Sequence, residues 1–278
     1  MIRFKPLRAA LAGVAALSLS MLAACANYST PTTAAPAGTA SGAAAVSLIK
    51  PGTLLVCTHL SYKPFQFKDE AGKVVGFDVD LMDLVAKKLS ATQEIVDIAF
   101  DQITSGAVFA AKKCDAAAGA VTITDARKQA VDFSDPYFEA TQALIVKADS
   151  SFTDLASLKG KTIAVQTDTT GQIYAEKNKE ANGYTIKVFE DMPSQLAAVL
   201  AGTVQAGIND NGVVFDYAKT NPTTKVVKEF DTGEQYGFLA QKGNTAMIGV
   251  INEVLATSKK DGTYNEIYKK WFGSEPKA

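Results

Sequence analysis

The sequence predicts an α/β protein built of two lobes, and three observations carry that expectation. From Thr53 onward, short apolar runs alternate with amphipathic stretches, the pattern of strands and helices around mostly parallel sheets. A succession of strand, polar turn, Ala-rich helix and strand occurs twice, as EIVDIAFDQITSGAVFAAKKCDAA ending at Ala117 and IKVFEDMPSQLAAVLAGTVQAGI ending at Ile208. Roughly 225 residues remain once the N-terminal leader and tether are set aside, which suits two lobes of modest size.

The leader is read at residues 1–24. Arg3, Lys5 and Arg8 precede an apolar run from Ala9 to Ala24, and no acid occurs before Asp69, which is the layout of an export signal. The run is shorter than the roughly 20 residues a membrane span needs. Its end, Leu22-Ala23-Ala24-Cys25, resembles the bacterial lipobox, which implies a mature chain beginning at a lipidated Cys25 and held at the membrane by acyl chains. Residues 25–47 are Ala, Thr, Pro, Ser and Gly in the main and read as a flexible tether. The formal net charge is −1, and loss of the leader removes only positive charge, so nucleic acid is not an expected partner.

In the folded part, 54–58 reads as a first strand. A helix starting near Asp80 follows, with Leu81, Leu84, Val85 and Leu89 on one face. The scheme restarts at 158–166, LKGKTIAVQ, with a turn, a strand and then a helix from Gly171. The last two helices carry Met247, Val250, Ile251, Val254 and Leu255, then Tyr264, Ile267, Tyr268, Trp271 and Phe272, at core spacing. Cys57 and Cys114 form an even pair in a compartment where disulfides persist, on predicted strands 54–58 and 114–118. A disulfide between them is expected; two separate buried thiols are the alternative.

Signatures of catalysis are scarce, since the chain has one His and no H-E-x-x-H, Walker loop, G-x-G-x-x-G or G-x-S-x-G. Ordered along residues 54–273, however, stand Tyr62, Pro64 and Phe65; Gly76, Phe77, Asp78 and Asp80; Thr122, Ile123, Thr124 and Arg127; Asp132, Phe133, Ser134, Pro136 and Tyr137; Thr169 and Thr170; Asp210; and Trp271 with Phe272. This ordered set resembles the type 3 family of bacterial solute-binding proteins, the binders of polar amino acids. The resemblance implies a two-lobed, periplasmic-binding-protein-like (type II) fold with a two-strand hinge. It places lobe one at 48–140 plus 237–275 and lobe two at 141–236, with crossings near 139–142 and 231–237.

It also implies a site. Arg127 would hold the ligand carboxylate as a planar bidentate donor, supported by Thr122 and by the turn at Thr169 and Thr170. Asp210 would take the ammonium together with Ala120 and Thr122. Tyr62 or Phe65 would stack against the ligand, Tyr62 being preferred, and His59, Gln166 and Asn209 would meet its side chain. Read from the residues alone, Arg127 could instead be a solvated cation paired with Asp125 or Asp132, Asp210 a helix N-cap, and His59, Tyr62 and Phe65 structural.

Many members that bind basic amino acids or glutamine carry Asp where this chain has His59, so a polar, neutral or acidic ligand is expected. Asp168 stands where the family has Gly, which calls the geometry of that turn into question. The implied activity is capture by lobe closure for an ABC importer, without catalysis, cofactor or metal. A dehydratase-like enzyme on the same scaffold, or a sensor for a membrane receptor, is the alternative. The expected partners are a small amino acid, an ABC permease and, through the anchor, the extracytoplasmic face of the membrane, with the chain acting as a monomer.

Overall fold

The computed structural model of the chain describes residues 46–276. The expected leader at 1–24, the lipidated Cys25 and all of the tether but its last two residues lie outside them. β1 (Thr53–Thr58) is buried along most of its length because parallel strands flank it on both sides. A small hairpin of β2 (Phe67–Lys68) and β3 (Val74–Val75) leads into α1 (Phe77–Lys88) and β4 (Thr92–Asp97). Two short helices, α2 (Phe100–Thr104) and α3 (Ala107–Ala110), reach β5 (Ala116–Ala117), and α4 (Asp125–Ala130) reaches β6 (Val131–Phe133). The chain then leaves this sheet along β7 (Phe138–Lys147).

A second sheet follows from β8 (Thr162–Gln166), α5 (Thr170–Asn182), β9 (Thr185–Phe189), α6 (Met192–Leu200), β10 (Ala206–Asp210), α7 (Asn211–Thr220) and β11 (Thr224–Tyr236). The chain returns through β12 (Leu239–Gln241) and ends in α8 (Thr245–Asp261) and α9 (Thr263–Phe272). The strand orders are β4-β1-β5-β12-β6 and β9-β8-β10-β7-β11. Each sheet opens with parallel strands joined by helical crossovers and then turns antiparallel. The loose repeat in the sequence is thus one architecture used twice, in the two-lobed type II arrangement that the resemblance implied.

Two paired strands join the lobes. β7 and β11 run antiparallel from Lys147↔Thr224 to Phe138↔Tyr236, and between Phe230 and Glu234 the register slips, so that Asp231, Thr232 and Gly233 form a bulge. Packed around the crossing is an aromatic cluster. Phe65, fully buried, meets Phe77, Phe138, Tyr236 and Phe272 edge-on, at centroid distances of 5.0 to 6.2 Å. The predicted apolar stripes of α8 and α9 pack on this core, with Met247, Ile251, Val254, Leu255 and Tyr264 buried.

The G-F-D-x-D motif is a structural device. Gly76 has φ 145°, and a Cβ there would stand 2.0 Å from the Phe65 carbonyl oxygen. Asp78 is fully buried and accepts hydrogen bonds from the Ala120 amide and the Tyr137 hydroxyl, each at 2.8 Å. Desolvation pushes its carboxyl up to about 7, against the pull of those donors. Asp80 receives the Trp271 indole N–H at 2.7 Å and Lys270 at 2.6 Å, which fastens α9 to α1.

Cys57 and Cys114 are joined, with Cα atoms 5.6 Å apart. The second strand is shorter than the expected 114–118, so Cys114 precedes β5 rather than lying on it. Closing a loop with a sequence separation of 57 is worth roughly 4 kcal/mol in the chain-entropy account. Among the described residues no helix is long and apolar enough to cross a membrane.

Candidate functional site

Between the lobes, at the carboxyl ends of β1, β5, β8 and β10, lies a cavity, the usual position for a ligand in open α/β sheets. Its space is about 330 Å³ counting the open mouth. A cleft this tight suits a small solute. Of the residues that the sequence singled out, His59, Tyr62, Ala120, Thr122, Arg127, Gln166, Thr169, Thr170 and Asp210 line it. Phe65 and Asn209 do not.

Arg127 owes its place to a capped helix start. Thr124 is the N-cap of α4 and accepts from the Arg127 amide at 3.2 Å. Arg127 is 9% exposed, and its guanidinium lies over the Phe100 ring, 5.3 Å from the centroid. Nη1 donates to the Thr122 carbonyl at 2.9 Å and Nη2 to the Asp168 carbonyl at 2.7 Å, so the fork spans both lobes. Burial pulls its pKa down, while Asp210, Glu234 and Asp168 hold it up. The solvated alternative does not hold, because Asp125 pairs with Lys128 and Asp132 with Lys242.

On the facing lobe, Thr169 caps α5 by accepting from the Gln172 amide at 3.1 Å, and its own hydroxyl donates to the Gln166 carbonyl. Asp168 takes the left-handed conformation, φ 57°, in place of the family's Gly, which Asp tolerates better than most residues. Its side chain is exposed and its carbonyl serves Arg127.

Asp210 occupies the N-cap position of α7 but makes no capping bond with its side chain. Instead its carboxylate turns into the cleft and accepts from Gln142 Nε2 at 2.6 Å and from the Tyr236 hydroxyl. Burial, and then the Glu234 carboxylate, push Asp210 up to about 6, against those two donors. Asn209, one residue earlier on β10, faces the other way and donates to Gln195 Oε1 at 2.8 Å, while its own Oδ1 accepts from the Tyr62 hydroxyl at 2.6 Å. It braces the Tyr62 ring from behind.

Glu234, just past the bulge in β11, is the residue that sequence reasoning missed most plainly. Its Oε2 accepts from the Thr122 hydroxyl at 2.8 Å and from the Thr170 hydroxyl at 2.7 Å, one threonine from each lobe. Its Oε1 accepts from Gln142 Nε2 at 3.0 Å and the Thr232 hydroxyl at 2.9 Å. The sequence reading gave Thr122 to both the carboxylate and the ammonium of the ligand; here its hydroxyl proton goes to Glu234, which leaves the oxygen as an acceptor. Gln66, Phe100 and Gly119 also line the cavity without having been foreseen.

A cation fork and a buried carboxylate therefore face one small cavity from opposite lobes, which is what holding both poles of a zwitterion requires. The family model for bacterial extracellular solute-binding proteins, family 3, matches residues 54–274. The ABC transporter glutamine-binding protein GlnH of Bacillus subtilis (strain 168) is 35% identical, covering 74% of this chain and 76% of its own. The "Probable histidine-binding protein" of Neisseria gonorrhoeae is 33% identical over 84% and 88%. Among solved structures, an ancestral arginine-binding protein bound to arginine superposes with a TM-score of 0.75 at 42% identity, covering 80% of this chain and 98% of that one.

Proposed function

The chain belongs to the bacterial extracellular solute-binding proteins, family 3, and on that premise we propose that it captures a polar amino acid outside the cytoplasm and delivers it to an ABC permease. The observation that carries this reading is the placement of Arg127 and Asp210, from opposite lobes, on one cavity. Arg127 takes the carboxylate with the remainder of its fork and with the amides at the start of α5. Asp210 takes the ammonium, helped by the oxygens of Thr122 and Thr170. Only the closed form offers both poles, so ligand shifts the population toward it and the permease reads the closed shape. The ligands named for the relatives, glutamine, histidine and arginine, are all polar amino acids. With His59 in place of an anion, a ligand with positive charge on its side chain meets hydrogen-bond acceptors at that position rather than a counter-ion. Attachment through a lipidated Cys25, and action as a monomer, complete the proposal.

A carboxyl near pH 6 in a cleft also suits a general acid, which keeps the dehydratase-like alternative in play. One experiment addresses both. In a thermal-shift screen against the twenty amino acids, at least one polar amino acid at 100 times its Kd stabilises the protein by about 2.7 kcal/mol, or roughly 5–10 °C. Mass spectrometry recovers it unchanged; product would establish an enzyme, and no shift from any amino acid would overturn the binding reading. Because Asp210 must be ionised to hold the ammonium, affinity is flat above about pH 6. Below that, protons compete and affinity falls about tenfold per unit. A constant Kd from pH 7.5 to 4.5 would remove Asp210 from the site.

A further inference from the structure

Besides the two poles, the cavity is lined by His59 and Gln66 from the first lobe, bonded to each other, and by Gln166 from the second. Each of these carries a buried polar atom with no hydrogen-bond partner: His59 Nε2, Gln66 Oε1 and Gln166 Oε1. Gln66 and Gln166 are 1% and 2% exposed, so water does not satisfy them from outside. Native proteins leave few such atoms unpaired, and a cluster on one cavity is an unfilled demand for a ligand group.

The sign of that demand is fixed by backbone carbonyls. His59 Nδ1 lies 3.0 Å from the Ile98 carbonyl oxygen, and a carbonyl only accepts, so Nδ1 carries the hydrogen. In the neutral ring Nε2 then presents a lone pair. Gln66 Nε2 donates to the His59 carbonyl at 3.3 Å, and turning the amide over would set oxygen against oxygen, so Oε1 is the end left free. No bond anchors the Gln166 amide in either sense, so it follows whatever enters. His59 and Gln66 set the polarity.

We propose that this part of the cavity selects an amino acid whose side chain ends in N–H donors, an amide or a guanidinium, and rejects the carboxylate of the same shape. The inference rests on the amino acid clamp proposed above; it drops the acidic half of the sequence expectation and admits a guanidinium, which that expectation left out. A carboxylate in this place would meet the fixed acceptor of Gln66 and, at the neutral His59 ring, a second one, with only the Gln166 amide free to turn a donor toward it. An amide or guanidinium pairs with both acceptors.

The isosteric pairs glutamine and glutamate, and asparagine and aspartate, isolate the effect, because each pair differs in donor against acceptor and hardly in volume. By isothermal titration of the whole protein, the better-binding amide binds at least about 100-fold more tightly than its acid. Arginine and its neutral isostere citrulline then separate guanidinium from amide as the source of the donors. Glutamate or aspartate binding as well as its amide overturns the proposal, as does leucine or methionine matching the best donor ligand.

Gln66→Met keeps the length and removes the acceptor; the amide-to-acid ratio collapses to below about tenfold, whereas a purely structural role for Gln66 would weaken both ligands alike and preserve the ratio. His59→Phe keeps a ring against Phe100 and gives the same collapse if the first variant does not fold. An unchanged ratio in both variants overturns the assignment. If no amino acid binds at all, the clamp reading fails instead, so the two failures are distinguishable.

Discussion

Arg127→Ala raises the Kd for every amino acid by about 100-fold to several thousand-fold, which corresponds to about 3–5 kcal/mol. The size follows from burial. Arg127, 9% exposed, sits beside Asp210 and Glu234, and its removal strands a ligand carboxylate at a buried position without its counter-charge. Isothermal titration measures the loss, and a melt without ligand checks that the fold survives. Arg127→Lys retains charge but not the planar fork, so it recovers only part of the affinity. It also loses one of the two carbonyl contacts, to Thr122 and Asp168, by which the arginine bridges the lobes. Arg127→Ala binding within tenfold of the native protein would show that the carboxylate goes elsewhere.

Gly76→Ala, outside the cavity wall, costs more than about 4 kcal/mol or prevents folding. At φ 145° the backbone is in a region that L-residues rarely enter, and the added Cβ would lie 2.0 Å from the Phe65 oxygen and 2.4 Å from its carbonyl carbon. Both obstacles are backbone, so no rotamer change relieves them. Gly160→Ala is the control: it has φ 70° with nothing within 4 Å, and costs only the left-handed penalty of about 1 kcal/mol. Denaturant melts of the two variants measure the difference, and equal midpoints would show that the turn at Gly76 yields. A displaced Phe65 would carry the aromatic cluster with it, and with that the packing against Gly212 of the second lobe, where a Cβ would be 3.2 Å from the Phe65 ring.

The strands, the helical stripes and most of the cavity wall were legible because they rest on periodicity and on motifs contiguous in sequence. What was not legible depends on partners distant in the chain. Phe65 reads as a ligand-stacking ring until Phe138, Tyr236 and Phe272 are seen to enclose it. Asn209 and Asp210 are neighbours with the same polarity, and only strand alternation sends one to the cleft and the other to Gln195. Glu234 sits in Asp-Thr-Gly-Glu-Gln, which reads as a solvated turn, and the bulge that turns it inward exists only through pairing with β7. Gln66 looks like an edge residue between two phenylalanines, and its burial comes from the loop folding back in the Tyr62↔Gln66 bridge. Spacing alone left Asp210 open between cap and ligand group, and hydrogen bonds to Gln142 and Tyr236 decide it.

Counting hydrogens at the amino end of the cleft shows what the Glu234 arrangement does. Thr122 and Thr170 each own one hydroxyl proton, and Glu234 receives both. The side-chain oxygens of the two threonines and of Asp210 are left with electron pairs to offer and no proton. On the binding proposed above, a guest arriving back to front would bring its carboxylate against the Asp210 carboxylate and the threonine oxygens while its ammonium met a guanidinium. The clamp proposed above is therefore polar in one direction, and it would seat a zwitterion one way round only.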